Sequence, residues 1–263
     1  MTTAPPILQL DGVTLRFGGL TALDRVDLRL DEHELLALIG PNGGGKTSLL
    51  NCVNAIYRPS SGVVSYLGEP LGRRHPHDLA RAGVARTFQL VELVPEATVL
   101  ENVLAGRQVH VRSRWPAALA YWGRYEREQE GQLAACEELI ELLELERVRE
   151  RRAGDLALGT QRLVGLARAL AMEPRLLLLD EPSSGMSREE REDLARFLVR
   201  VRHDRPTAML WVEHDTQLVS DLADRIVVLQ HGRTIADGAP AAVLADPAVI
   251  EAYVGSPRGG AGA

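Results

Sequence analysis

Gly40-Pro41-Asn42-Gly43-Gly44-Gly45-Lys46-Thr47 carries the spacing G-x-x-x-x-G-K-S/T. Glycines lack a Cβ, so the backbone can wrap closely and aim its N–H groups at one anionic centre. Lys46 can then reach the outer phosphates of a nucleoside triphosphate, and the Thr47 hydroxyl can ligate Mg²⁺. Further along, four leucines end in Asp180-Glu181. Asp180 fits the Walker-B role of holding Mg²⁺, and Glu181 can polarise an attacking water as general base. Two solvated acids at a strand end explain Glu181 alone, but not an Asp placed directly after four leucines. His214 follows a second apolar run, and Gln89 ends a third. A lone His or Gln is usually structural or superficial. The repeated arrangement, apolar strand then polar residue, favours a functional His214, and it lets Gln89 touch Mg²⁺ or the attacking water. Phe17 reads on its own as a core aromatic; a base-stacking role is the alternative.

The elements around these residues set their geometry. Leu35-Leu36-Ala37-Leu38-Ile39 reads as a buried strand, and Ser48 to Val53 as the start of a helix. That strand–loop–helix context adds a helix N-terminus to the phosphate site. Residues 7–30 alternate with period two around Gly18-Gly19, which predicts antiparallel strands. Val63 to Leu67 predicts another strand between turns at 58–62 and 68–70. Thr98 to Ala105 predicts a short helix. A segment rich in Arg, Trp and Tyr follows (Arg112, Arg114, Trp115, Tyr121, Trp122, Arg124, Tyr125). Leu133, Cys136, Leu139, Ile140 and Leu143 then recur at helical spacing among glutamates, and Arg147 to Arg152 reads as a solvated helix end. Leu163, Val164, Leu166, Ala167 and Leu170 mark the buried side of a helix introduced by 156–162. The runs 176–179 and 208–212 read as parallel strands delivering polar groups to their C-terminal edge, where ligands bind in open α/β sheets. Residues 188–203 form an amphipathic helix, 226–236 a hairpin turning at His231-Gly232, and 240–254 a last helical pattern.

The predicted architecture is α/β: a P-loop NTPase core of RecA-like type with a parallel sheet, an N-terminal antiparallel β subdomain and a helical insert. One domain spans 7–254, with 7–89 and 156–254 as ATP-binding core and 90–155 as helical subdomain; 255–263 reads as a flexible tail. The 263 residues carry a net charge of −6, which argues against broad nucleic-acid binding. Cys52 and Cys136 offer no metal cluster or disulfide framework and read as buried thiols in a reducing cytosol. The N-terminus shows no signal-peptide pattern, and no apolar run approaches the ~18 residues of a membrane span.

The ordered set of 40–47, Gln89, 156–160, Asp180-Glu181 and His214 resembles the ATP-binding subunit of ABC transporters, over about residues 7–254. Within that family it looks most like branched-chain amino acid importer ATPases. That likeness rests on Phe17-Gly18-Gly19-Leu20, Arg86-Thr87-Phe88-Gln89, Glu101-Asn102-Val103 followed by a long insert, and Asp246-Pro247, Ile250 and Tyr253-Val254-Gly255. Ser184-Gly185-Met186 is also similar to urea importer ATPases. The resemblance implies ATP and Mg²⁺ as ligands. It implies that Phe17 stacks on adenine, that residues 42–48, Ser48 included, wrap the phosphates, and that His214 contacts the γ-phosphate. Gln89 would sense the γ-phosphate and Mg²⁺ beside a groove for the membrane subunit. Ala157, Leu158, Gly159 and Thr160 would close on ATP held by the opposite protomer of a head-to-tail dimer. The implied partners are integral-membrane permease subunits, a second ATPase subunit (the same chain or another) and, indirectly, a substrate-binding protein, with no nucleic acid. The implied place is cytoplasmic, peripheral on the inner face of the cell membrane.

Two positions depart from the family pattern. Leu156-Ala157-Leu158-Gly159-Thr160 stands where the family has LSGGQ, leaving Gly159 and a helix N-terminus as an anion site. Ser187 stands where the family often has Asp. The expected function is an importer ATPase for branched-chain or other hydrophobic amino acids. The alternatives are a urea or short-amide importer, an exporter or lipopolysaccharide-type extractor, which the 86–89 and 101–103 motifs lean against, and a non-transport ABC ATPase acting on ribosomes or nucleic acid, which would need long coiled coils or two ATPase domains.

Overall fold

The computed structural model describes residues 5–87, 93–110 and 124–254, with backbone alone at 124–128 and 254. In chain order the strands are β1 (Leu8–Phe17), β2 (Leu20–Leu30), β3 (Leu35–Ile39), β4 (Ser61–Tyr66), β5 (Glu69–Pro70), β6 (Val84–Thr87), β7 (Leu176–Asp180), β8 (Ala208–Val212), β9 (Arg225–Gln230) and β10 (Arg233–Gly238). The helices are α1 (Lys46–Val53), α2 (Pro76–Arg81), α3 (Val99–Gly106), α4 (Arg124–Leu142), α5 (Leu158–Leu170), α6 (Arg188–Asp204), α7 (Thr216–Leu222), α8 (Pro240–Leu244) and α9 (Pro247–Val254). The chain divides into two compact units. The first takes the described residues up to 76, 178–181 and those from 206 onward; the second takes the described residues of 77–177 and 182–205.

In the first unit, β1 pairs antiparallel with β2 and β4, with Leu8 opposite both Leu30 and Tyr66. Period-two alternation buries Leu8 and Leu10 and, after a register shift between Leu10 and Val13, Val13 and Leu15. Glu69–Pro70, expected as turn, adds a short edge strand on β4; an edge is where a proline, lacking an N–H, is tolerated in a sheet. The central sheet of this unit runs β10-β9-β3-β8-β7. β3 lies parallel to both β8 and β9. Every residue of β3, β7 and β8 is buried, as the unbroken apolar runs require of strands covered on both faces. The last helical pattern is two helices, because Pro247 cannot continue a helix begun at Pro240.

In the second unit, Thr98 and Glu101 form a reciprocal capping box that starts α3. Cys136, Leu139, Ile140 and Leu143 are buried, whereas Leu133 is exposed and Leu163 half-buried; the helical stripe is narrower than the apolar pattern alone suggested. The segment 147–152 is largely exposed, as expected, but it begins in a 3-10 turn at Glu146–Val148 and is not the end of an α-helix. Arg149 pairs with Glu137 through several hydrogen bonds, and Arg152 forms a β-bridge with Thr98. The aromatic positions 115, 121 and 122, with Arg112 and Arg114, lie outside the described residues, as do Phe88 and Gln89; Arg124 and Tyr125 are described in backbone only.

Candidate nucleotide site

β3 ends at Ile39 and the chain enters a loop that presses against the β9 end. A Cβ on Gly40 would fall 2.0 Å from the Leu229 carbonyl oxygen, and the Gly40 φ of 144° is one that side chains rarely allow. The loop leads into α1, which begins at Lys46 itself. The Lys46 ammonium is buried and donates to the carbonyls of Gly40, at 2.8 Å, and Pro41, at 3.1 Å. Burial pulls its pKa below the ordinary lysine value, against the opposing pull of Glu181 and then Asp180.

Asp180 closes β7 fully buried, and Glu181 takes the next position with a φ of 49°, left-handed for a non-glycine residue. Its N–H donates to the Val212 carbonyl at 3.0 Å, fixing the turn against the end of β8. Two residues beyond Val212, His214 brings Nε2 to 2.7 Å from the Glu181 Oε1. The strand ends thus join the proposed base and the histidine. Backbone strain concentrated at such a residue is common at functional sites.

A cleft of about 400 Å³ is lined by Phe17, Leu20 to Ala22, Asn42 to Ser48, Glu181 and His231. Phe17 is not core. It is 45% exposed and meets Tyr57 edge to face, ring centroids 5.1 Å apart. Gly43, Gly44, Gly45, Lys46, Thr47, Ser48 and Asn42 thus share one concavity with Phe17, whereas Gly40 and Pro41 serve it from behind, through the Lys46 contacts.

In the second unit the 156–160 segment opens α5, with Ala157 at its N-cap and no side-chain cap. Leu158 is half exposed, and Gly159 is buried beneath Glu190: a Cβ there would lie 2.0 Å from the Glu190 carboxylate. Glu190 is also the capping-box partner of Ser187, which starts α6. Gly159 thus packs closely under the Glu190 side chain within the chain, and Ser187 has a local task that an Asp at an N-cap would also perform.

Three residues escaped the sequence reading as contributors. Glu213 is buried and bonds the Trp211 indole N–H at 3.2 Å and the His214 N–H at 2.9 Å, which orients the histidine backbone. An acid next to the flagged histidine was the available signal. Asn102 is buried and pins the loop before α3 through the Val94 N–H and the carbonyls of Val94 and Thr98. His231 looked like a turn residue only; no periodicity reveals that its turn faces the cleft.

Strand ends of one mixed sheet deliver Lys46, Glu181 and His214 to a glycine loop that opens a helix, and this is the design of a P-loop ATPase cassette. The ABC transporter family model matches residues 23–184, and the model described as branched-chain amino acid ATP-binding cassette transporter matches 233–258. The chain is 38% identical over 250 residues to the high-affinity branched-chain amino acid transport ATP-binding protein BraF of Pseudomonas aeruginosa, covering 95% of this chain and 98% of that one. It is 36% identical to LivG of Escherichia coli, another high-affinity branched-chain amino acid transport ATP-binding protein, with the same coverage. Among solved structures, the ADP conformation of MJ1267, an ATP-binding cassette of an ABC transporter, superposes with a TM-score of 0.83 at 29% identity, covering 95% of this chain and 99% of that one. The dimeric post-hydrolysis structure of the cassette MJ0796 bound to ADP and Pi gives 0.73 at 26% identity, over 89% and 98%. The chain belongs to the ABC transporter family, as an ATP-binding and ATP-hydrolysing cassette. Among the described residues no helix is long and apolar enough to cross a membrane.

Proposed function

We propose that the chain drives import of branched-chain or other hydrophobic amino acids, docked on permease subunits at the inner face of the membrane and paired with a second ATPase subunit. The observation that carries the ATPase mechanism is the Glu181–His214 contact beside the buried Lys46. The substrate class rests on the printed names of the relatives and on the 233–258 match. Beyond the likeness of Ser184-Gly185-Met186 to urea importer ATPases, no observation favours the urea, exporter or ribosome alternatives.

In this reading the glycine-loop N–H groups and Lys46 hold the phosphates, and Phe17 stacks on the base. A water oxygen attacks the γ-phosphorus, its proton passes to the Glu181 carboxylate, and the bond to the bridging oxygen of the leaving ADP breaks. His214 holds Glu181 in line and meets the γ-phosphate. The donor set suits Mg²⁺: a hydroxyl at Thr47 in the cleft and a buried carboxylate at Asp180. Thr47, Asp180 and, by the family resemblance, Gln89 would hold the ion, which when bound neutralises phosphate charge. Residues 157–160 would reach a partner's nucleotide, so ATP binding shifts a dimer toward closure.

The test is to trap Glu181→Gln with ATP in detergent-solubilised native membranes and identify what co-purifies. Two multi-span proteins and a second ATPase are expected, with a binding protein that takes hydrophobic amino acids. Ribosomal proteins or nucleic acid without membrane proteins would overturn the transport reading.

A further inference from the structure

The turn between β9 and β10 is fastened to the phosphate loop. The Gly232 N–H donates to the Gly44 carbonyl at 2.9 Å, and the Gly232 carbonyl accepts from the Asp24 N–H at 2.8 Å. The Leu229 carbonyl fills the space where a Cβ on Gly40 or Gly44 would stand, at 2.0 and 2.7 Å. His231 lies between these anchors, exposed, and lines the same cleft as Gly43 to Ser48. Its φ is 49°. Gly would take that conformation more cheaply, and Asn or Asp about as readily as His, so the turn alone does not single out an imidazole.

The position within the cleft suggests what the ring meets. Phe17 supplies a phenyl face to the cleft, which suits a base, whereas His231 is tethered one residue from the backbone contact with Gly44, at the phosphate end. The Lys and Glu side chains lining the cleft are Lys46 and Glu181. Glu181 is engaged by His214, and the neighbouring Arg233 is turned to Asp24 at 2.6 Å. We propose that His231 is a nucleotide-contacting residue whose imidazole N–H donates to a phosphate of the bound nucleotide, a further side-chain donor beside Lys46 and His214. The proposal rests on the nucleotide site described above.

The test is calorimetric binding of ATP and ADP to the full chain, with adenosine read as a competitor, for wild type and His231→Asn. Asparagine tolerates the left-handed φ and so keeps the turn. The expected result is about tenfold weaker ATP and ADP binding, the size of one hydrogen bond to a charged group, with adenosine and the unfolding temperature unchanged. Unchanged ATP binding would overturn the proposal. An equal loss for adenosine would also overturn it, by moving the contact to base or ribose. A loss for all three with a lowered unfolding temperature would overturn it in favour of a purely structural turn. Wild type that binds no ATP would instead defeat the nucleotide reading on which it stands.

Discussion

Glu181 Oε1 and His214 Nε2 lie 2.7 Å apart, although 33 residues separate them in the chain. The pairing depends on the neighbouring strands β7 and β8 and on the Glu181 N–H bond to the Val212 carbonyl. The contact orients the carboxylate that is proposed as the base.

Glu181→Gln is expected to lower ATP turnover by about 10²–10⁴ while leaving ATP binding intact, since an amide keeps the size but cannot take the proton. His214→Ala should also lower turnover, and the double variant should cost less than the product of the two, because the residues act as a unit. Steady-state phosphate release with separate nucleotide titrations decides this; full turnover in Glu181→Gln would remove the base assignment.

Phe17→Ala is expected to weaken ATP binding by about 1–3 kcal/mol, the usual loss for one base–aromatic stack. The ring is 45% exposed and touches Tyr57 edge-on, so stability should change little. Nucleotide titration alongside thermal unfolding separates the two effects. A large drop in melting temperature with unchanged affinity would return Phe17 to a packing role.

Gly40→Ala should be among the most damaging single-methyl changes in the chain. The new Cβ would meet backbone, the Leu229 carbonyl, at 2.0 Å, and the φ of 144° adds strain. A loss of several kcal/mol of stability or a displaced phosphate loop is expected, read by urea denaturation and ATP binding.

Ser187→Ala removes the N-cap of α6 and should cost about 1 kcal/mol, whereas Ser187→Asp should retain the cap. Equal denaturation midpoints for wild type and Ser187→Ala would show that the capping box contributes nothing measurable.

The two cysteines predict an alkaline limit to stability. Burial raises Cys52 and Cys136 to about 11 from 9.0. A folded-state pKa above the unfolded one favours the protonated fold, so this contribution is complete below pH 9 and is lost as pH rises from 9 through 11. At about 1.4 kcal/mol per unit, each thiol accounts for on the order of 2–3 kcal/mol. Urea midpoints should fall over that window in wild type and less in Cys52→Ala, and both thiols should resist an aromatic disulfide reagent at pH 8 until the chain is unfolded.

The sequence by itself determined the local chemistry. Glycine spacing before Lys46-Thr47, four leucines before Asp180, and period-two alternation over 7–30 are short-range facts, because backbone freedom, strand burial and side-chain alternation are set within a few residues. Thr98-x-x-Glu101 and Ser187-x-x-Glu190 are likewise written locally as helix starts. Only the tertiary structure decided which distant groups meet. The parallel register of β3, β8 and β9 put the phosphate loop and His214 on one sheet edge, and pairings between segments far apart leave no local trace. The same reason hid His231. Its turn is readable as a hairpin, but its seat beside Gly44 comes from the order β10-β9-β3, and its φ from the contacts of its neighbours. Gly159 shows the converse: the motif position was visible, but the Glu190 carboxylate that packs over it arrives from another helix.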